Sequence, residues 1–250
     1  MEKFNVFHDI SKRTNGDIYL GVVGAVRTGK STFIKKFMDQ VVIPNITNEA
    51  DRQRAQDELP QSAAGRTIMT TEPKFIPNQA VEIALEEGLK VNVRLVDCVG
   101  YTVESAQGFE DENGPRMIHT PWYEEAIPFH DAAEIGTRKV IQEHSTIGIV
   151  VTTDGSFGEI PREDYEEAER KVVEELKEVG KPFIMILNSN KPHSFEATNL
   201  RNELAEEYDI PVLPVSVEEL KSDDIHNILR EALYEFPVLE VNVNLPSWVM

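Results

Sequence analysis

Cysteine is nearly absent: Cys98 is the single one in 250 residues, so no internal disulfide can form, and no charged-then-apolar leader opens the chain. Both features make a reducing cytosol the expected compartment. Long apolar runs are missing too, none approaching the ~20 residues that span a bilayer. Positive charge is scarce, with 25 lysines and arginines against 44 acidic residues and a formal charge of −19; the pI is near 4.7. That balance argues against a nucleic-acid partner, or an anionic membrane surface spread over the whole molecule. A phosphate ligand must therefore be held by a local arrangement. Repeats and low-complexity tracts are absent, and 40% hydrophobic residues over this length suffice to bury one large core or two small ones.

What is present is the stretch Gly24-Ala25-Val26-Arg27-Thr28-Gly29-Lys30-Ser31, which fits GxxxxGK(S/T). An apolar run from Ile18 to Val23 precedes it, and a helical pattern through Ser31, Phe33, Ile34, Phe37 and Met38 follows. The motif thus sits in its required context of strand, glycine loop and helix. In such a loop successive backbone N–H groups turn inward as an anion nest, and the helix N-terminus adds its positive dipole end. Lys30 is expected to reach the β and γ phosphates, and Ser31 to hold Mg²⁺.

After this helix, expected to end near Val42, residues 43–72 carry Pro44, Pro60 and Gly65 without clear periodicity and read as one long functional or disordered loop. Lys74 to Leu85 and Leu89 to Asp97, joined at Glu86, Glu87 and Gly88, predict an antiparallel hairpin. A second irregular segment covers 101–131. Beyond it, helices near 131–144, 162–179, 196–207 and 222–235 alternate with strands at 146–153, Phe183 to Leu187 and Pro211 to Val215. The alternation predicts a three-layer α/β fold of the P-loop NTPase kind, a mostly parallel sheet with one antiparallel hairpin strand and long switch-region insertions. Residues 1–16 read as a lead-in, 17–237 as the nucleotide-binding domain, and 238–250 as the start of a following region. The unplaced apolar residues Leu245, Trp248 and Val249 at the end lead us to expect a fragment of a longer protein.

A nucleotide site also needs a carboxylate near its metal. Asp97 closes an apolar strand and, with Cys98, Val99 and Gly100, gives DxxG, in which the acid serves Mg²⁺ and the glycine N–H meets the γ-phosphate. Thr70 and Thr71, at the end of the long loop, are placed to complete the metal shell when the γ-phosphate is present, which would make the loop a switch. The metal set is therefore Ser31, Thr71 and Asp97. The nucleotide set is Gly24 to Thr32 with Gly100, Asn188 and Ser216.

The order of phosphate loop, Thr-Thr loop, DxxG and base motif resembles the translation-factor-related P-loop GTPases, especially the Era-like group. Three departures stand out. The guanine-reading NKxD is replaced by Asn188-Ser189-Asn190-Lys191, which lacks the reading carboxylate, so ATP or loose base choice is expected instead of strict GTP. Tyr101 stands where many GTPases carry the water-orienting Gln, which predicts slow hydrolysis with water positioned from elsewhere. Arg27 occupies the cradle where Era-like proteins often have Asn; it is either an arginine finger in cis, making it catalytic beside Lys30, Thr70, Thr71 and Asp97, or a solvent-facing loop residue.

The resemblance narrows with Gly21 to Ser31, Asp57 to Gly65, Thr67 to Lys74 (TIMTTEPK), Val96 to Thr102 (VDCVGYT), Glu110 to Met117 (EDENGPRM) and Thr120 to Glu125 (TPWYEE), which are similar to the bacterial stage IV sporulation protein A family along essentially the whole chain. The resemblance implies the amino-terminal nucleotide-binding portion of an ATPase that self-associates into the basement layer of the spore coat, on the forespore surface in the mother-cell cytosol. It also implies partners: further copies, other coat proteins, and a small amphipathic membrane-anchored peptide engaged through a carboxyl-terminal region. Two rivals remain beside this reading, a GTPase of the ribosome-assembly kind and a nucleotide-gated structural subunit without turnover.

Other features have plainer readings. His119 and His130, bracketing Trp122 to Glu125, fit no compact ligand spacing. Cys98 reads as a buried small apolar residue. The acidic run Glu163 to Glu178 reads as the solvated face of a helix whose apolar stripe is Tyr165, Ala168, Val172, Leu176 and Val179.

Overall fold

The structure is a computed structural model and describes residues 11, 14–60, 74–84, 90–103, 105–106, 110–111, 114–119, 123 and 125–236. In chain order the elements are β1 (Asp17–Val23), α1 (Lys30–Phe37), α2 (Glu49–Asp57), β2 (Lys74–Ala84), β3 (Lys90–Asp97), α3 (Phe129–His144), β4 (Ile147–Thr153), α4 (Glu166–Val179), β5 (Phe183–Asn188), α5 (Phe195–Tyr208), β6 (Val212–Val215) and α6 (Ser222–Tyr234). The described residues build a six-stranded sheet in the order β6-β5-β4-β1-β3-β2. Only β2, paired with β3, runs antiparallel; the other pairs are parallel. The predicted α/β architecture is therefore present, hairpin strand included.

Strand alternation divides the core between two faces. Ile147, Ile149 and Val151 of β4 point toward Phe33, Ile34 and Phe37 of α1 and Ile225 and Leu229 of α6. Val150, with Met185 and Leu187 of β5, points toward Val140 of α3, Val172 and Leu176 of α4, and Leu204 of α5. Because both faces are covered, the inner strands read as continuous apolar runs.

Two expectations need correction. The stretch 43–72 is not one loop: Ile43–Asn45 forms a short helical turn and α2 follows, with the Asn48 side chain accepting from the Ala50 and Asp51 amides at 2.9 and 3.2 Å. Periodicity concealed α2 because Ala55 is its one buried residue; its signal was the Asn cap followed by Glu49 and Asp51 in the first turn. Within 101–131, two short ribbons pair Glu110–Asp111 with Gly114–Pro115 and Met117–Ile118 with Ile127–Pro128, and α3 begins at Phe129 instead of near 131. No helix among the described residues is long and apolar enough to cross a membrane.

Candidate functional site

The parallel strands β1, β3, β4 and β5 all end at one rim of the sheet, and their carboxyl ends carry the residues singled out above. The loop leaving β1 turns under three positive φ values, at Gly24 (137°), Arg27 (64°) and Gly29 (101°). Glycine is required at Gly24, where an added Cβ would stand 2.3 Å from the Val151 carbonyl oxygen of β4. Arg27 is the one non-glycine residue of this loop in the left-handed region, which carries strain for a side-chain-bearing residue. Burial lowers the pKa of its guanidinium, and the nearby Tyr165 opposes that shift.

Lys30 opens α1 and is 5% exposed. Its Nζ donates to the Ala25 carbonyl at 2.5 Å, folding the ammonium back into the loop. Burial pulls its pKa from the ordinary lysine range down to about 8, with the Asp97 charge opposing. Ser31, the next residue, donates through Oγ to Asp97 Oδ2 at 2.6 Å. Asp97 is 3% exposed; burial raises its pKa, and Ser31, Lys30 and Lys74 work against that rise. Its second oxygen, Oδ1, is buried without a hydrogen-bond partner. A hydroxyl, a carboxylate and an orphaned carboxylate oxygen make a hard-oxygen donor set of the kind that magnesium shares with phosphates and water. No cluster of three or more His, Cys, Asp or Glu side chains that could hold a metal occurs among the described residues.

The DxxG segment is stitched to the loop. Tyr101 N–H donates to the Gly24 carbonyl at 3.2 Å, and its own carbonyl accepts from Val26 N–H at 2.8 Å. The Val26 amide is thus committed to this frame, and the side chains of Ala25 and Val26 lie in the apolar cluster with Tyr101. Gly100, at φ 91°, lies so close that a Cβ there would stand 2.4 Å from Lys30 Nζ. Tyr101 itself is buried away from solvent and belongs to the core of the α3–α4 face, so its side chain orients no water at the loop.

Asn188, at the end of β5, donates Nδ2 to the Thr28 carbonyl at 3.0 Å and accepts from Val217 N–H through Oδ1 at 3.1 Å. It ties the phosphate loop to the turn that contains Ser216. Ser189 is buried, and its Oγ accepts from Lys191 N–H at 3.0 Å, while Lys191 is exposed. Thr28 is fully buried with its hydroxyl on the Ala25 carbonyl, and Thr32 lies half-buried in the first turn of α1. A separate cavity of about 470 Å³ beside Lys191, lined by Asp154, Ser156, Asn190, Ser194 and Leu200 among others, includes none of the loop residues.

The structure therefore brings together Gly24 to Thr32, Asp97, Gly100 and Asn188. Thr70 and Thr71 lie outside the described residues. Cys98 is buried, and burial raises the pKa of its thiol, in keeping with a packing role. The His119 and His130 side chains join no metal cluster; His130 Nδ1 meets Thr102 Oγ1 at 2.7 Å and its Nε2 meets Glu134 at 3.1 Å.

Sequence reading missed a buried network beside this site. Glu169, within the run read as solvated, is 2% exposed. Its carboxylate takes Arg162 in a two-pronged pair, Nη1 to Oε2 and Nη2 to Oε1, each at 2.9 Å. It also accepts from Thr152 Oγ1 of β4, and from Tyr208 Oη of α5 at 3.2 Å. Arg162 lies in a 3-10 turn (Arg162–Tyr165) that leads into α4, seven residues before Glu169, and that spacing was the available signal.

Residues 1–237 match the family model described as Stage IV sporulation protein A, ATPase domain. The chain is 76% identical over 250 residues to the stage IV sporulation protein A of Bacillus anthracis, covering 100% of the chain and 51% of that protein. For the protein of the same name from Bacillus subtilis (strain 168) the identity is 73%, again over 100% of the chain and 51% of the relative. For that of Clostridioides difficile (strain 630) it is 55% over 245 residues, 98% of the chain and 50% of the relative. The chain spans about half the length of the curated relatives it matches.

Proposed function

Because the chain belongs to the family of stage IV sporulation protein A ATPase domains, we propose that it binds ATP with Mg²⁺ and hydrolyses it slowly. The observation carrying this reading is the corner where Ser31 Oγ meets Asp97 Oδ2 at 2.6 Å beside the buried ammonium of Lys30. Lys30 and the loop amides hold phosphate oxygens, and Ser31 and Asp97 hold the ion, which when bound neutralises charge on the phosphates. Thr71 is proposed as the third protein ligand and Thr70 as its neighbour in the switch. In support, Lys74 is the ladder partner of Asp97, and three residues of chain span at most ~11 Å. The strained Arg27 is proposed to meet phosphate oxygens as charge builds in the transition state.

The stretch Asn188 to Lys191 offers no carboxylate to read guanine, so base choice should favour ATP or be loose. Displacing one fluorescent nucleotide with ATP and with GTP checks this: ATP should compete at least as well. A strong preference for GTP would refute it.

Lys30 must be charged to grip a phosphate, and its pKa of about 8 places the loss of that charge within reach. Triphosphate affinity should fall as pH rises through about 8, by roughly tenfold per unit above it, until the complex's own higher pKa is passed. Calorimetric titrations at pH 7 and pH 9 read this directly, and equal affinities would show that Lys30 titrates elsewhere.

We further propose that the nucleotide state governs self-association into the basement layer of the spore coat at the forespore surface. Other coat proteins and a small amphipathic membrane peptide would act as partners through a carboxyl-terminal region. Family membership supports this reading. Sedimentation of the full-length protein with and without ATP, beside a Lys30→Ala control, tests it, and assembly indifferent to both would end it.

A further inference from the structure

The buried Tyr101 side chain can orient no water, but the residue after it carries a hydroxyl with a base behind it. The backbone of Tyr101 is pinned to Gly24 and Val26, and Gly100 before it lies against Lys30. Thr102 is therefore held within ~7 Å of chain from Gly100. Tyr101 and Val103 both belong to the apolar cluster, so Thr102 between them turns outward and is half-buried. Its Oγ1 meets His130 Nδ1 at 2.7 Å, and His130 Nε2 meets Glu134 Oε1 at 3.1 Å. His130 and Glu134 stand one turn apart on α3, whose first residue, Phe129, is buried and donates its N–H to the Arg116 carbonyl at 2.8 Å. That anchor sets where His130 stands, while its side chain stays 46% exposed and open to solvent.

These contacts fix the direction of each proton. A carboxylate only accepts, so Nε2 carries the ring proton; Nδ1 of the neutral imidazole is then an acceptor, and the Thr102 hydroxyl must donate to it. The Thr102 oxygen keeps its lone pairs for an incoming donor. Lys171 of α4 approaches the same Glu134 oxygen at 3.9 Å, so the carboxylate is held from a second side. Hydroxyl, base and orienting acid in one line are the arrangement that activates a hydroxyl or a water bound to it.

Building on the ATPase reading above, we propose that Thr102 is the catalytic group that holds the water attacking the γ-phosphate, with His130 and Glu134 as positioning residues behind it. The water donates one hydrogen bond to Thr102 Oγ1. As its oxygen bonds to the γ-phosphorus, the bond from that phosphorus to the β–γ bridging oxygen breaks, and the electron pair leaves with ADP. The water's proton passes to Thr102 Oγ1 while the hydroxyl proton passes to His130 Nδ1, and the imidazolium stays paired with Glu134 until it returns a proton to phosphate or solvent. The relay acts on turnover and not on binding, because Lys30 and the loop amides grip the triphosphate without it.

The test uses the full-length protein. Thr102→Val should lower kcat for ATP about 100-fold, the low end of what a positioned acid–base group contributes. Its KM and its calorimetric affinity for ATP should stay within about twofold of the wild type, and its Tm within a few degrees. Thr102→Ser, which keeps the hydroxyl, should recover the rate to within about threefold. His130→Ala should fall about as far as Thr102→Val, and added imidazole should raise it at least about fivefold while leaving Thr102→Val unchanged. That rescue separates a proton acceptor from a contact that merely holds the chain in place. The double variant Thr102→Val/His130→Ala should be no slower than the slower single one, as members of one relay do not add. Unchanged kcat in Thr102→Val, a Thr102→Ser variant as slow as Thr102→Val, a His130→Ala variant that imidazole does not revive, or multiplying losses in the double would each overturn the proposal. Wild-type protein that releases no phosphate would instead overturn the ATPase reading itself, an outcome visible before any variant is compared.

Discussion

Lys30→Ala abolishes phosphate release and weakens triphosphate binding by roughly 30-fold or more, the expected result of truncating one partner of a desolvated charge pair. The argument rests on where the ammonium sits: 5% exposed, against the Ala25 carbonyl, with Asp97 as its main attraction. Burying such a charge is costly unless it is paired, and in the proposed function the triphosphate is that partner. Stability should fall less than activity, because the burial that disfavours the ammonium offsets part of the attraction to Asp97 that the variant removes. Thermal unfolding within a few degrees of the wild type, beside lost binding in calorimetry, would separate lost chemistry from lost folding. Release unchanged by the substitution would point to a contaminating hydrolase. Arg27→Ala should differ in kind, keeping most of the affinity while turnover falls; full turnover there would leave Arg27 as a strained loop residue without a transition-state role.

Glu169→Ala should be among the most destabilising single changes in the domain, by about 3–5 kcal/mol, the usual range when one partner of a buried ion pair is removed. The carboxylate is the common acceptor for Arg162, Thr152 and Tyr208. Without it a guanidinium and two hydroxyls are left facing apolar surroundings. Denaturant unfolding would read the loss as a lower midpoint at constant slope. Replacing Arg162 and Glu169 together by Met and Leu should recover most of it, as paired removal leaves no buried charge. If Glu169→Ala unfolds within about 1 kcal/mol of the wild type, water reaches the pair and the network is superficial.

Much of the site was legible because its chemistry demands particular residues at particular spacings. Gly24, Gly29 and Lys30 follow from the geometry of a phosphate cradle, and Asp97 from the strand that must run beside it. What escaped the sequence is of two sorts. Helix α2 carries almost no apolar periodicity because it touches the core mainly through Ala55, so a reading based on hydrophobic spacing passed over it. Glu169 looked like one more surface acid, since nothing local reveals that Thr152 and Tyr208, 17 and 39 positions away, converge on it. Tyr101 was recognised as a departure from the GTPase pattern, but its direction, into the core and away from the loop, is a tertiary fact.

The strand that launches the phosphate loop is an interior strand, held by ladders on both sides. Val22 of β1 is in register with Asp97 on one side and with Ile149 on the other, so shifting the loop would shear two ladders at once. It behaves as an anvil, so any motion that accompanies the proposed turnover falls to segments other than β1. Mutations that stiffen β1 should therefore leave the proposed turnover untouched.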